Sequence, residues 1–395
     1  MAAFMDLALY DPDIGYYARA AQRSGRAGDF FTSVDVGPIF GELLEAQIAE
    51  MAKLLDPGTT LPAAADPPPF DLVEAGAGNG RLAADILRAA RHRDPAWYGR
   101  VRLHLVEASA SARAAQLTTL SEVAERLAST SAILPDRFEG VLIANELLDA
   151  FPVHHVVMRE DGLRELFVDV APDADAVEPA FVLVEGAPST PALAAYLERL
   201  GIGLESGWRA EINLRAVDWI RNAARRLVRG FIVLIDYGHD ARHLYSPSHA
   251  RGTLTTFARH TTAGPDTAAP GLAGFSEPAW LQHPGEQDIT AQVDFTSVRE
   301  AAESEGLTQV AFLDQTYFLM GILASQNLQN PGNRGNPGDP GNFENPGSPG
   351  HLRRSMALKT LLMPGGLGST HKVLILGKGV GTPALRGGSF GGRVT

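Results

Sequence analysis

Three glycines at alternating positions, Gly76, Gly78 and Gly80, close the segment FDLVEAGAGNG at Phe70–Gly80. Ahead of them lies a short apolar run that ends on an acid, Glu74, and Arg81–Arg91 continues with helical spacing. A strand, a glycine turn and a helix in that order build a nucleotide-cofactor crevice at the carboxyl end of a parallel sheet. Glycine is needed where the chain turns sharply and a ligand approaches bare backbone. A dinucleotide fingerprint, G-x-G-x-x-G, wants its third glycine one residue later, where this chain has Arg81. An acid before G-x-G-x-G fits S-adenosylmethionine (SAM) instead. SAM has no pyrophosphate to cradle, and a carboxylate at the turn can bind its ammonium group. Glu74, Gly76, Gly78, Asn79 and Gly80 are therefore cofactor-binding candidates. Val101–Glu107, VRLHLVE, is a second strand that ends on an acid. A carboxylate at that tip, about 20 to 30 residues past the turn, can accept hydrogen bonds from both ribose hydroxyls.

The elements around these residues alternate. Ile39–Leu55 carries Phe40, Leu43, Leu44, Ile48 and Met51 on one helical stripe, and a proline- and alanine-rich connector follows to Pro69. From Phe70 strand and helix patterns take turns, which argues for a parallel sheet with crossovers. Helix Ser109–Leu127 leads to an apolar piece, Ala132–Leu134, and strand Gly140–Ala144 leads into Asn145 and Glu146. Between Val153 and Val184 three strand-like pieces follow one another, as in an antiparallel insertion. Helices are expected near Pro191–Leu200 and Ala216–Val228, then a buried-type strand at Phe231–Tyr237 that ends on Asp236. Ser297–Glu300 reads as a capping box for a helix that stops at Gly306. Gln309–Leu313 and Val373–Leu376 read as strands. The asparagine-, proline- and glycine-rich run at 327–350 and the tail after Lys378 read as disordered.

Composition narrows the partners. The 395-residue chain is 45% hydrophobic with a formal charge of −12 and no long basic run, so nucleic acid is a poor partner. The chain has no cysteine, which excludes disulfides, thiolate metal sites and a cysteine nucleophile. The histidines are scattered, and no metal constellation appears. No apolar stretch is long enough to insert in a membrane, and a cytoplasmic protein is the simplest expectation.

Five further segments occur in order around the glycine turn: LYDPDIGYY at Leu9–Tyr17, GDFFTS at Gly28–Ser33, ANELLDAFPV at Ala144–Val153, LIDYG at Leu234–Gly238 and PGEQDITAQVDF at Pro284–Phe295. Together they resemble the MidA-like methyltransferase family. The resemblance implies an α/β class I SAM-dependent methyltransferase fold. That fold is Rossmann-like, with a mostly parallel seven-stranded sheet and an added mixed subdomain. It implies SAM as cofactor and, from the mitochondrial member, a protein arginine substrate on a respiratory complex I subunit. The chain departs from the family in lacking residues that usually precede Met5, in the 327–350 loop, and in GGLGSTHKVLIL, which has no aromatic residue before its lysine.

Candidate roles follow residue by residue, and at Phe31–Ser33 the resemblance decides between them. Phe31 would stack on adenine, and Thr32 and Ser33 would bind the methionyl carboxylate; otherwise these residues form a turn with buried phenylalanines. Asn145 and Glu146 stand where strand four meets the methyl group. A carboxylate grips a guanidinium through two parallel hydrogen bonds, so Glu146 is the first catalytic candidate. Asp149 is a helper or a helix cap. Glu211 reads as a second clamp arm or an exposed strand acid, and Asp236 as a crevice acid. His260 reads as a proton relay or a structural group. Asp288, Thr290 and Asp294 would shape the acceptor pocket, Asp294 serving equally as a cap. The expected division is a helical cap at 1–69, a SAM-binding core at 70–152, an antiparallel substrate subdomain at 153–207 and a core continuation at 208–326. The loop at 327–350, a helix and strand at 351–378 and a tail at 379–395 complete it. The sequence leaves the oligomeric state open, a homodimer included. The competing function is a non-enzymatic assembly factor that binds a client on the same scaffold. A nicotinamide oxidoreductase is disfavoured by the glycine spacing.

Overall fold

The computed structural model describes residues 1–18, 32–56, 68–171, 180–258, 261–264, 268–269, 277–329, 349–363, 367–391 and 394. Its centre is a sheet built from β1 (Phe70–Ala75), β2 (Val101–Val106), β3 (Leu127–Ser131), β4 (Phe138–Asn145) and the long strand Leu227–His239, joined by Thr308–Asp314 and His371–Lys378. From one edge the order is Thr308–Asp314, His371–Lys378, Leu227–His239, β4, β1, β2, β3. Pairing is parallel from Leu227–His239 through β4, β1 and β2 to β3. His371–Lys378 runs antiparallel to both its neighbours. A two-residue strand, Val293–Asp294, adds to the end of Leu227–His239.

Every residue of β1 is buried, as a central strand covered on both faces requires. Successive side chains go to opposite faces: Leu72 enters one core with Phe40, Leu43 and Ile48 of the helix Ile39–Leu55. Val73 enters the other, with Ile220 and Ala223 of the helix Leu214–Arg226. A third cluster packs the first helix, Ala2–Tyr10, through Met5 and Leu9 against Trp280 and Ile289. The antiparallel insertion is a four-stranded sheet ordered Phe181–Gly186, Gly162–Val170, His154–Arg159, Arg209–Ile212.

Three boundaries differ from the sequence reading. The helix after β2 spans Ala110–Leu120 and gives way to a 3₁₀ turn at Ser121–Arg126. The strand that follows is Leu127–Ser131 rather than Ala132–Leu134. It is a sheet edge and alternates between half-buried and exposed, so it needs no apolar run. The helix Phe295–Glu303 has no Ser297 capping box; Asp294 caps it, as its alternative reading had it, its carboxylate accepting the N–H groups of Thr296 and Ser297 at 3.0 and 3.2 Å. Finally, the described part of the C-terminal tail is packed. Leu385 is buried, and the Gly387 N–H donates to Gln47 Oε1 at 2.8 Å. Glycine-rich composition suggested a chain without anchors. Here small residues let the backbone lie close, and Leu385 and Phe390 join the core beside Phe318. Most of the 327–350 loop lies outside the described residues.

Candidate functional site

The carboxyl ends of β1, β2 and β4 open onto one pocket of about 490 Å³. Its floor is the glycine turn. Gly76, Gly78 and Gly80 have φ of 72°, 50° and 83°, in the left-handed region that favours glycine. A Cβ on Gly76 would stand 3.0 Å from Leu147 Cδ1, whereas Gly78, which lines the pocket, has nothing within 4 Å of that position. Gly80 lies just outside the pocket lining, starting the helix Arg81–Arg93 and fitting against Leu105.

Glu74 lines the pocket, and its carboxylate accepts the Ala83 N–H, in the first turn of that helix, at 3.0 Å. Burial pushes its pKa up to about 8; the Ala83 bond opposes this, and the Glu107 and Asp85 charges add to it. A raised folded-state pKa contributes stability that is full below the unfolded value and is lost as pH rises through the folded one. For Glu74 that window runs from 4.5 to about 8. Glu74→Gln retains an acceptor for Ala83 and cannot ionise. The variant should gain on the wild type as pH rises, by roughly 2 to 5 °C in melting temperature at pH 9 and little at pH 4.5. Calorimetry at both pH values checks this, and a gap that does not widen refutes it.

Glu107 also lines the pocket. Its carboxylate accepts the N–H groups of Gly78 and Ser109, each at 2.8 Å, and each oxygen keeps a second lone pair. Asn79 closes the turn, its side-chain oxygen accepting the Arg81 N–H at 3.3 Å. Thr32 and Val34 form a wall. Asp35 accepts from the Thr32 N–H and hydroxyl at 3.0 and 2.9 Å and pairs with the Arg81 guanidinium at 2.8 Å. The turn at 32–36 is thereby fastened to the start of the helix.

At the tip of β4, Asn145 and Glu146 both line the pocket. Glu146 has φ of 51°. That conformation costs a residue with a side chain about 1–3 kcal/mol, and such strain clusters at functional sites. The surroundings impose it. The Glu146 N–H donates to the Ile235 carbonyl at 2.8 Å. Asp236 lies beneath and accepts the N–H groups of Leu147 and Leu148 at 3.1 and 2.8 Å. Asp236 is therefore a buried brace of the turn, outside the pocket lining, and not a crevice acid. Burial first, then the Glu146 charge, raises its pKa to about 7 against the pull of its N–H partners. Asp149 is also buried and outside the lining. Burial, followed by the charges of Asp236, Asp288 and Glu146, pushes its pKa well above the usual range.

Two further candidates sit elsewhere. Glu211 is buried in the antiparallel sheet, where it accepts the Thr253 N–H and hydroxyl at 2.7 and 3.0 Å. It is neither exposed nor part of the pocket, because its strand belongs to a different sheet from the cofactor crevice. Ser33 faces inward, fully buried, and its hydroxyl accepts from Gln315 Nε2 at 3.0 Å. Phe31 and His260 lie outside the described residues.

The sequence reading missed the aromatic rim. Tyr10, Tyr17, Phe151, Arg215 and Trp219 also line the pocket. Phe151 and Trp219 meet edge to face with centroids 6.2 Å apart, and the Arg215 guanidinium lies 5.9 Å over the Tyr10 ring. The Tyr17 hydroxyl donates to Asp288 at 2.8 Å. Tyr10, Tyr17 and Phe151 fell within segments quoted for the resemblance, but Trp219 sits in a helix whose pattern carries no sign of a site. Among the described residues no group of three or more histidines or acids could hold a metal, and no helix is long and apolar enough to cross a membrane.

The sheet order, the one reversed strand, the glycine turn after β1 and the acid at the tip of β2 define a class I SAM-dependent methyltransferase. Residues 43–313 match the family described as S-adenosyl-L-methionine-dependent methyltransferases, and the chain belongs to it, the MidA-like family. It is similar to "Protein arginine methyltransferase NDUFAF7 homolog, mitochondrial" of Drosophila melanogaster, with 30% identity over 78% of this chain and 67% of that one. It is equally similar to "Protein arginine methyltransferase NDUFAF7, mitochondrial" of Mus musculus, at 30% over 82% and 70%. A Burkholderia thailandensis protein crystallised bound to S-adenosyl-homocysteine has the same fold. The TM-score is 0.79, with 28% identity over 99% of this chain and 90% of that one. The expectation of a cytoplasmic protein finds no support in the relatives' names, which are mitochondrial ones.

Proposed function

We propose that the chain is a protein arginine N-methyltransferase. The observation that carries this reading is Glu146, a carboxylate held in a strained turn and lining the same pocket as the aromatic side chains. A flat cation suits that space. Aromatic faces attract guanidinium groups, and a carboxylate fixes one in plane. Two similar relatives bear the name of arginine methyltransferases. A respiratory complex I subunit, implied by the resemblance, is the acceptor class to test first. Catalysis would come from alignment and electrostatics. The test is incubation with methyl-labelled SAM and native cell lysate, followed by mass spectrometry of the labelled band. Methylarginine in that band supports the reading. Label on another residue type, or none with active donor binding, refutes it.

The donor would lie with its ribose at Glu107, its sulfonium near Asn145 and its amino acid end toward Thr32 and Arg81. Its carboxylate then needs a cation, and Arg81 has donors beyond the one spent on Asp35. Arg81→Ala should weaken S-adenosyl-homocysteine binding about 10- to 100-fold, as for a lost charged hydrogen bond. It should leave methylthioadenosine, which lacks the amino acid end, within about twofold. Calorimetry with both ligands decides, and equal losses would reduce Arg81 to a brace for Asp35.

A further inference from the structure

Methyl transfer to a guanidinium leaves a proton over. The donor sulfonium gives up its methyl group, the carbon–sulfur electron pair stays on sulfur, and a carbon–nitrogen bond forms. The acceptor carries a second positive charge until one N–H proton departs. Glu146 is the carboxylate that meets the acceptor in the reading above, on which this inference rests.

Behind Glu146 stands His371, fully buried. Its Nδ1 lies 2.6 Å from the Leu367 carbonyl oxygen. A carbonyl only accepts, so Nδ1 carries the hydrogen in this contact. Its Nε2 lies 3.4 Å from Glu146 Oε1 and makes no hydrogen bond. Nε2 therefore faces a carboxylate oxygen and no other partner. Buried polar atoms without partners are uncommon, and each calls for a physical reason. The surroundings fix both groups. The Tyr237 ring packs on the imidazole with centroids 3.9 Å apart. The Asn145 amide donates to Glu146 Oε1 at 3.2 Å. The acids nearby are Glu146 in front and Asp236 on the neighbouring strand. The adjacent Lys372 is spent in a buried pair with Asp314 at 2.7 Å.

We propose that His371 is a positioning residue for Glu146 and the place where the reaction's proton comes to rest. The acceptor N–H proton passes to Glu146, then from Oε1 to His371 Nε2, and leaves for solvent after the products.

His371→Gln and His371→Phe test this in the full-length chain. Both should bind S-adenosyl-homocysteine within about twofold of wild type. With methyl-labelled SAM and lysate acceptor, both should lose about 10- to 100-fold in turnover, at one remove from the 10²–10⁴ of direct general base catalysis. The wild-type pH–rate profile should lose one ionisation in each variant. A merely structural role would change substrate affinity and leave that profile in place, which would overturn the proposal. Imidazole nitrogen NMR of the wild type, with His371 assigned from the variants, should show the hydrogen on Nδ1 at pH 8. A hydrogen on Nε2 would also overturn it. If the wild type labels no acceptor, the arginine reading fails, while the NMR result still decides the Glu146–His371 arrangement.

Discussion

Glu146→Gln is expected to keep the donor bound and to slow methyl transfer about 10²–10³-fold, the scale of losing one preorganised electrostatic partner. Glutamine is the same shape, and its oxygen can still accept from Asn145 Nδ2, so the pocket keeps its form. What disappears is the negative charge proposed to face the acceptor cation. No other acid at this strand end can supply it. Asp236 is occupied by three backbone N–H groups. Asp149 is buried with its pKa held high, and Asp288 accepts from Tyr17 behind the rim. Only Glu146 among the four lines the pocket. Single-turnover transfer of labelled methyl groups, beside calorimetry with S-adenosyl-homocysteine, separates the two steps. Turnover at the wild-type rate would remove Glu146 from the mechanism. Weakened donor binding at equal magnitude would place it in the cofactor's share of the site.

What the sequence disclosed depends on distance along the chain. The glycine turn and the acids at the tips of β1 and β2 are local features. A strand period, a turn chemistry and a helix start occupy one continuous stretch, and the structure brings Glu74, Gly76, Gly78, Asn79 and Glu107 to one pocket. The helix Ile39–Leu55 was legible for the same reason, since its apolar stripe repeats over four turns. The acid candidates were harder. Asp236 and Glu211 have the composition of site residues, but a strand-end acid faces either the crevice or its supports, and the choice is made by neighbours remote in sequence. Asp236 turned toward the Leu147 and Leu148 N–H groups, some ninety positions away. Glu211 turned toward Thr253. Trp219 and His371 were invisible as site residues because each joins the pocket or its backing only through tertiary packing. Ser33 shows the converse. Its segment suggested a ligand, yet a 3₁₀ turn rotated its hydroxyl onto Gln315 while Thr32 faced the pocket.

Gly78→Leu should abolish donor binding, with at least about a 100-fold loss in affinity for S-adenosyl-homocysteine, or some 2.7 kcal/mol. Two costs combine. A φ of 50° is strained for leucine, by about 1–2 kcal/mol. The larger cost is occupancy. The position of a Cβ on Gly78 is free of protein atoms, and the residue lines the pocket. A leucine there meets no protein atom to repack against and adds its bulk beside the pocket that the donor must enter. Gly76 differs. Gly76→Leu would strike Leu147, 3.0 Å from its Cβ position, and disturb the turn that carries Glu146, so its effect would mix folding, donor binding and catalysis. Gly78→Leu should instead lower the melting temperature only slightly while removing the rise that donor produces in the wild type. A thermal shift series with and without S-adenosyl-homocysteine reads both quantities at once. A Gly78→Leu protein that still gains stability from the donor would show that the cofactor does not lie over this backbone.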